Sequence, residues 1–210
     1  MHWSRSCQFS PSVEKRGQGM SGLHASNQSR TCPLTSPALR VVARWWLSAY
    51  TPGRLPSRTE IDLNAIRHAL PYVWLIEYLS DEDAFQYRLA GEHVNAVFGF
   101  SLRGKRLHDI IEPHMEPVVR QRFLHALNTP GAVYAVGRVY MRIGGYREGE
   151  RLILPLSDDG VNGTHLFGVT DYGRGRREDW EEPPEYMDER FLEIDEVLAW
   201  RAALRLPDSS

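Results

Sequence analysis

One short stretch holds several side chains that could bind a metal ion. His108 and Glu112 are four positions apart, so on a helix they would share a face and could hold zinc. Pro113 disfavours a helical conformation at Glu112, and it separates His114 from the other two. We therefore expect no metal site. The stretch is instead typical of a polar loop, with Glu112 close to a helix N-terminus, where negative charge is favourable.

The residue types needed for catalysis do not occur in suitable patterns. Nucleophilic catalysis needs an activated serine or cysteine beside a base. The cysteines, Cys7 and Cys32, both lie near the N-terminus, and no Gly-x-Ser-x-Gly motif occurs. Gly160 follows Asp158-Asp159, which favours a turn over a pair of catalytic acids. Gly144-Gly145 lacks the Gly-Lys-Ser/Thr of a phosphate loop. We expect a protein that is not an enzyme.

Composition limits the possible partners. The chain has 210 residues, of which 42% are hydrophobic, and a net charge of −2. This size suits one domain with appendages. A charge near zero predicts no bulk attraction to nucleic acid or to an anionic membrane. No apolar run reaches the roughly 20 residues of a membrane span. Two cysteines near one end suit a reducing compartment, so we expect a cytoplasmic protein.

The pattern of apolar residues and turns predicts four regions. Residues 1–36 are rich in serine and glycine and predict a disordered tail, and residues 37–172 form the folded domain. Residues 173–187 are charged and contain two prolines, which indicates a linker. Residues 188–206 predict an amphipathic helix. Its apolar side consists of Phe191, Ile194, Val197, Leu198, Trp200 and Leu204.

Within the domain, helices and strands alternate in groups. Ser36-Pro37 is typical of a helix start, and Thr51-Pro52-Gly53 of its end. A second short helix is expected from Asp62 to Pro71, and a longer one from Pro113 to Leu127. Apolar runs bounded by turn residues, two of them with alternating apolar and polar residues, predict five strands: Val73 to Leu79, Ala84 to Ala90, Val133 to Arg142, Glu150 to Leu156, and Thr164 to Tyr172.

This order indicates an α+β fold. A hairpin, short helices, a longer helix and a three-strand meander predict a five-stranded antiparallel sheet with helices on one face. The predicted helices at the N- and C-termini flank this unit.

Several motifs in this order resemble the single-domain PAS proteins common in alphaproteobacteria. The motifs stand in three stretches: GRLPSRTEIDLNAIRHALPYVWLIEYL, FQYRLAGEHVNAVFGFSLRGKRL and LILPLSDDG. The resemblance covers roughly residues 45 to 172. It implies a PAS fold, a role in signal transduction and a cytoplasmic location. One position departs from the pattern, since Glu92 stands where the family usually has threonine after Arg-Leu-x-Gly.

PAS folds hold small ligands between the sheet and the short helices, so the resemblance implies a candidate pocket. Its lining would be His93, Val94, Phe98, Phe100, Leu107, Ile111, Phe123, Tyr134 and Arg138. His93 and Arg138 would be the polar anchors. The alternative is that these side chains pack on one another and leave no cavity. Haem would need an axial histidine, from among His93, His108, His114 and His125. We expect no cofactor.

Tryptophans in the first helix suggest an interface. Trp45 and Trp46 are adjacent, so they point about 100° apart, and one of them needs a partner outside the face that covers the sheet. Aromatic residues at a surface favour protein contacts. Together with Phe191 and Trp200 of the last helix, they predict a homodimer interface. The alternative is that both tryptophans pack within their own chain.

The expected function is regulation of a partner protein through direct contact, because no kinase, cyclase or DNA-binding region is recognisable. A small molecule bound in the pocket would be the signal, and docking or release of a flanking helix the response. One alternative is a ligand-free adaptor on the same fold. Another is a small enzyme with a cone-shaped pocket, for which Glu77 and Asp171 are the available strand acids.

Overall fold

The computed structural model describes residues 32–139, 147–172 and 188–206. Six strands and six α-helices occur in this part of the chain, joined by short 3₁₀ turns. The helices are α1 (Pro37–Ala49), α2 (Glu92–Phe98), α3 (Leu107–Ile110), α4 (Glu116–Asn128), α5 (Ile194–Leu198) and α6 (Trp200–Ala203). The strands are β1 (Val73–Leu79), β2 (Ala84–Ala90), β3 (Gly131–Val139), β4 (Arg147–Ser157), β5 (Gly163–Tyr172) and β6 (Asp188–Glu193).

All the strands belong to one antiparallel sheet in the order β2-β1-β5-β4-β3-β6. The predicted α+β class is confirmed, and the five predicted strands are all present. The strand count is corrected to six, because residues 188–193 pair with the edge of β3 instead of starting a helix. Phe191 and Leu192 point to opposite faces of the sheet, as successive strand residues do.

The C-terminal helix is correspondingly shorter than predicted. Phe191 fits the helical spacing of Ile194 and Leu198, but α5 begins only at Ile194. The backbone N–H of Glu193 donates to the Glu196 carboxylate at 3.2 Å, which caps the start of α5. Only Phe191 and Leu192 are apolar among residues 188–193, and pairing with β3 satisfies the backbone groups of this segment and overrides the helical pattern. The predicted linker, residues 173–187, lies outside the described residues.

Helix α1 forms where the sequence predicts it. The Ser36 hydroxyl accepts a bond from the Ala38 N–H at 3.2 Å, and Pro37 occupies the first turn. Residues 32–36, predicted to belong to the tail, are ordered against the sheet, and the rest of the tail lies outside the described residues. The second predicted helix is a series of turns from 63 to 69 followed by the 3₁₀ turn Leu70–Tyr72.

The sheet separates two cores. On one side, which we call the α1 face, α1, α5 and α6 pack on residues such as Leu152, Leu154 and Phe167. On the other side, the middle-helix face, α2, α3 and α4 pack on residues such as Trp74 and Ile153. The middle helices share one face as predicted, and the flanking helices cover the other. No described helix has the length and apolar character needed to cross a membrane.

A glycine in β5 marks a close approach within the sheet. Gly168 pairs with Trp74 across the β1–β5 ladder. A Cβ atom added at Gly168 would lie 2.0 Å from the Trp74 ring. The indole therefore lies over the glycine, and its Nε1 donates to the Thr170 hydroxyl at 3.0 Å. This fixes a large aromatic side chain in the middle-helix core.

Candidate functional site

Most of the predicted pocket residues come together on the middle-helix face. Val94, Phe98, Leu107 and Phe123 are buried there, and Phe100 and Ile111 are half-buried against them. Aromatic contacts organise this core. The Phe123 ring stacks at 6.0 Å on Trp74 and meets the Phe85 ring edge-on at 5.5 Å. The predicted juxtaposition is therefore present, and these side chains pack on one another.

Tyr134 does not belong with them. On β3, Val133 faces the middle helices and Tyr134 faces α1, because side chains alternate along a strand. The Tyr134 hydroxyl donates to the Glu150 carboxylate at 3.1 Å. Burial, together with the neighbouring Glu150, raises the pKa of Tyr134 to about 12. The prediction that Tyr134 lines the same pocket as Phe123 is wrong.

One of the two predicted polar anchors, His93, is also separate from the core. His93 is exposed on α2, where its ring meets the Tyr72 ring edge-on with centroids 4.5 Å apart. Arg138 lies opposite Glu148 in the β3–β4 ladder, and its side chain is outside the described part of the chain. His93 therefore does not point into the packed aromatic core.

A groove of about 420 Å³ lies beside the predicted pocket, between α4 and the β3–β6 edge of the sheet. It is lined by Gln121, Arg122, His125, Val133, Glu189 and Phe191. Arg122 and Glu189 form an ion pair across it at 3.2 Å. The His125 ring meets the Phe191 ring at 4.3 Å between centroids. Sequence analysis missed this groove because it assigned Glu189 and Phe191 to a helix. Residues 188–193 show no period-two alternation, because Phe191 and Leu192 are adjacent, so no local signal indicated this strand.

A polar network fixes the start of α1 to the sheet. Glu150 on β4 is only 6% exposed. Its carboxylate accepts bonds from the N–H groups of Thr35 and Ser36 at 2.8 and 2.7 Å, and from the Thr35 hydroxyl at 2.8 Å. The Ser36 hydroxyl donates to Asp171 at 2.6 Å. Two carboxylates thus lie at the N-terminus of α1, where negative charge is favourable.

The predicted interface tryptophans are buried within the chain. Trp45 and Trp46 are 5% and 0% exposed, and Trp200 is 3% exposed. Trp45 meets Phe167 edge-on at 5.6 Å, and the Trp46 indole donates to the Pro155 carbonyl at 2.8 Å. Phe191 is half-buried in the groove. These residues do not form an exposed dimer interface, because both tryptophans contact their own chain, and the Trp45 indole also donates to the Glu60 carbonyl at 3.2 Å.

Arginines join α1 to the C-terminal helices. Arg40 donates to the Ala203 carbonyl at 3.2 Å, and Arg44 donates to the Arg205 carbonyl at 3.4 Å. In return, Arg201 donates to the Leu47 carbonyl at 2.8 Å. Two of these bonds are solvent-exposed, so this seam is held more weakly than the contact of α1 with the sheet.

The strand acids that an enzyme would need are engaged in other contacts. Glu77 pairs with Arg88, and Asp171 accepts the Ser36 bond. His165 is buried between Glu77 and Asp158, 3.9 and 3.8 Å away. Burial lowers the pKa of His165, although both carboxylates act in the opposite direction. Neutral His165 shares a hydrogen bond with the Thr164 hydroxyl at 2.9 Å.

The remaining histidines considered at the outset are at the surface. His108 lies 3.6 Å from Asp109, and His114 lies 3.4 Å from Glu112, all with exposed side chains. Among the residues that the structure describes, no three His, Cys, Asp or Glu side chains are grouped as metal ligands. His125 contributes its ring to the groove wall.

Comparison with known proteins identifies the family. A family model described as PAS domain matches residues 34–171, about two thirds of the chain. No curated protein matches. The strand β6 and the helices α5 and α6 lie beyond the matched residues.

Solved structures give more distant similarities. The PAS domain of Bordetella pertussis BvgS is 13% identical with a TM-score of 0.42, covering 54% of this chain and 88% of that one. An RNA-binding Light-Oxygen-Voltage receptor is 14% identical with a TM-score of 0.37, covering 56% of this chain and 36% of that one. The light-state Aureochrome1 LOV domain is 16% identical with a TM-score of 0.36, covering 53% and 88%. With its single antiparallel sheet and the family match over residues 34–171, the chain belongs to the PAS domain family and is a sensory or regulatory module.

Proposed function

We propose that this module regulates a partner protein through direct contact, and that the terminal helices change state when it does so. By terminal helices we mean α5 and α6, residues 194–206. The observation that carries the proposal is that α1 and the terminal helices cover the same face of the sheet but are held to very different extents. The less firmly held element is the one that can be released at low cost.

The number of buried apolar side chains shows how differently α1 and the terminal helices are held. Helix α1 buries five large apolar side chains, each at most 5% exposed: Leu39, Val42, Trp45, Trp46 and Leu47. The terminal helices bury three: Val197, Trp200 and Leu204. Each such side chain contributes roughly 1.5–3 kcal/mol. The difference of two side chains favours release of the terminal helices over release of α1.

Helix length and polar contacts also favour release of the terminal helices over release of α1. Helices α5 and α6 have 5 and 4 residues, far below the roughly 12–15 residues at which isolated helices become marginally stable. They therefore fold only while packed. Helix α1 is also tied to the sheet by the Glu150 network and by Trp46, whereas the arginine bonds of the seam are largely exposed.

Release would uncover apolar surface. Trp200 and Val197 belong to the same core as Ala132 and Tyr134 on β3 and Leu47 on α1. Without the terminal helices this surface would face water, and exposed apolar patches of this kind favour protein contacts. A partner that binds this surface stabilises the released state by mass action. A homodimer formed through the same surface is a second form of this contact.

Hydrogen–deuterium exchange on the full chain tests the proposal. We expect amides of residues 194–204 to exchange faster than those of residues 37–49. Trp200→Ala should accelerate exchange in the terminal helices about tenfold or more and leave β1 and β5 unchanged. Trp45→Ala is the matched control, since this tryptophan is equally buried on α1. It should accelerate exchange throughout the domain.

Equal protection of α1 and the terminal helices in the unmodified protein would overturn the proposal. So would a Trp200→Ala effect spread over the whole sheet. A second experiment tests the direct contact with a partner protein. Proteins that cross-link to the unmodified chain in its host cells are compared with those that cross-link to Trp200→Ala. A genuine partner of the released surface should be enriched by Trp200→Ala. A partner that binds both forms equally would contradict the mechanism.

A further inference from the structure

The groove between α4 and β6 has the composition of a site for a small zwitterion. We infer that it binds a free α-amino acid with an apolar side chain. The inference deepens the proposed function, since it identifies the signal that the regulatory module senses. It is carried by the two opposite charges and the apolar surface that meet in one groove of about 420 Å³.

Opposite charges stand together at the groove. Arg122 on α4 and Glu189 on β6 are 3.2 Å apart. A guanidinium binds a carboxylate through two parallel hydrogen bonds, and a carboxylate accepts hydrogen bonds from an ammonium group. An α-amino acid carries both complementary groups on one carbon atom. It can therefore satisfy Arg122 and Glu189 at the same time, which an anion or a cation alone cannot do.

The existing ion pair does not block this site. The Arg122 side chain is 50% exposed and that of Glu189 is 18% exposed. Ion pairs with this much solvent contact contribute little to stability. Inserting the two charged groups of an amino acid replaces one solvent-exposed pair with two new pairs. Net charge in the groove is unchanged, so no charge is left without a partner.

The rest of the groove suits an apolar side chain. Val133 and Phe191 are apolar, and the His125 ring lies against the Phe191 ring with centroids 4.3 Å apart. Val133 on β3 is only 5% exposed and forms part of the apolar groove wall. An aromatic or branched aliphatic side chain would bury its surface here. Gln121 adds an amide at the rim that can donate or accept a hydrogen bond.

Part of this groove lies outside the matched PAS domain. Two of its lining residues, Glu189 and Phe191, lie on β6, beyond the residues 34–171 matched by the PAS domain model. None of the lining residues is among those predicted for the cavity between sheet and short helices that the family resemblance implied. Strand β6 leads directly into α5, which begins at Ile194. A ligand joining β6 to α4 would fix the strand to which the terminal helices are attached.

Calorimetric titration of the full chain tests the site. The probes are L-phenylalanine and L-leucine, with N-acetyl-L-phenylalanine and L-phenylalaninamide as analogues lacking the ammonium or the carboxylate. We expect at least one free amino acid to bind about tenfold or more tightly than either analogue. Comparable binding of the amide would point to a peptide N-terminus and would overturn the assignment to free amino acids.

Matched variants locate the binding. Arg122→Gln and Glu189→Gln should each weaken binding about tenfold or more. Arg54→Gln is the control, because Arg54 forms a similarly exposed ion pair with Glu60 at 2.7 Å and lies outside the groove lining. It should bind like the unmodified protein. Arg122 and Arg54 are about half exposed and Glu189 is 18% exposed, and circular dichroism with thermal melting checks that all three variants fold.

The possible outcomes separate this inference from the proposed function. Absence of binding by both amino acids, or binding unaffected by Arg122→Gln and Glu189→Gln, overturns the amino-acid site. Neither result alters the exchange comparison between α1 and the terminal helices. Binding accompanied by slower exchange of the β6 amides supports both the site and its link to the terminal helices.

Discussion

The two faces of the sheet are stabilised in different ways. The middle-helix face is closed by aromatic rings, with Phe123 packed between Trp74 and Phe85. The α1 face is equally buried but contains polar groups, among them Glu150 and His165, 6% and 1% exposed. A buried polar group is stable only while it is paired. The middle-helix face has a buried polar pair as well, Trp74 with Thr170, but no buried carboxylate or histidine among its described residues. The α1 face should therefore respond more strongly to loss of a charged partner or to protonation, and the middle-helix face more strongly to loss of volume.

The largest expected effect tests the middle-helix face. Phe123→Ala removes a ring that contacts two other aromatic side chains and leaves a cavity in an apolar core. We expect the free energy of unfolding to fall by about 3–5 kcal/mol, as for other buried phenylalanines. Urea denaturation measures this. A loss below about 1 kcal/mol would show that this core is loosely packed.

Loss of a polar partner tests the α1 face. Glu150→Ala leaves the N–H groups of Thr35 and Ser36 and the Tyr134 hydroxyl without their acceptor. We expect a loss of about 2–3 kcal/mol in urea denaturation. Tyr134→Phe should cost less, and the double variant should cost less than the sum because the two residues share a bond. Strict additivity would contradict a connected network.

A smaller loss of stability is expected when Trp46 loses its indole donor but keeps an aromatic ring. Trp46→Phe keeps an aromatic ring but removes the indole donor to the Pro155 carbonyl. We expect a loss of about 1–2 kcal/mol, from the orphaned carbonyl and the smaller ring. Trp45→Phe is the comparison, since its bond to the Glu60 carbonyl is only partly buried. Equal losses would show that the ring volume, and not the bond, dominates.

The smallest effect is the response to acid. Burial lowers the pKa of His165 below its ordinary 6.5, so the unfolded chain binds the proton more readily. The contribution of His165 is complete above pH 6.5 and is lost as the pH falls towards the pKa of the folded state. Urea midpoints between pH 7.5 and 5 should decline less steeply in His165→Gln. The same decline in His165→Gln as in the unmodified protein would contradict this assignment.

Local patterns predicted the elements of the matched domain well. The proline after Ser36, the alternation in AFQYRLA and the turn residues around Gly160 produced the elements expected of them. The aromatic and aliphatic residues predicted to meet behind the sheet did so, apart from Tyr134. Strand alternation places that residue on the opposite face, and one more step of period-two reasoning from Val133 would have shown this.

The groove could not be predicted in the same way. Its ion pair joins positions 122 and 189, which no local pattern connects, and depends on residues 188–193 pairing with β3. The burial of both tryptophans is similar. Adjacent helix residues point in different directions, so only the shape of the surrounding sheet and turns decides whether both are covered.

By itself, the sequence determined the family, the α+β class and five of the six described strands, because period-two patterns, caps and turn residues act over a few neighbouring positions. The tertiary structure alone decided that residues 188–193 add a sixth strand, that Glu150 holds the start of α1, and that Arg122 meets Glu189. Those outcomes arise from unpaired backbone groups at a sheet edge and from buried charges that need partners, and both conditions exist only once distant segments have come together.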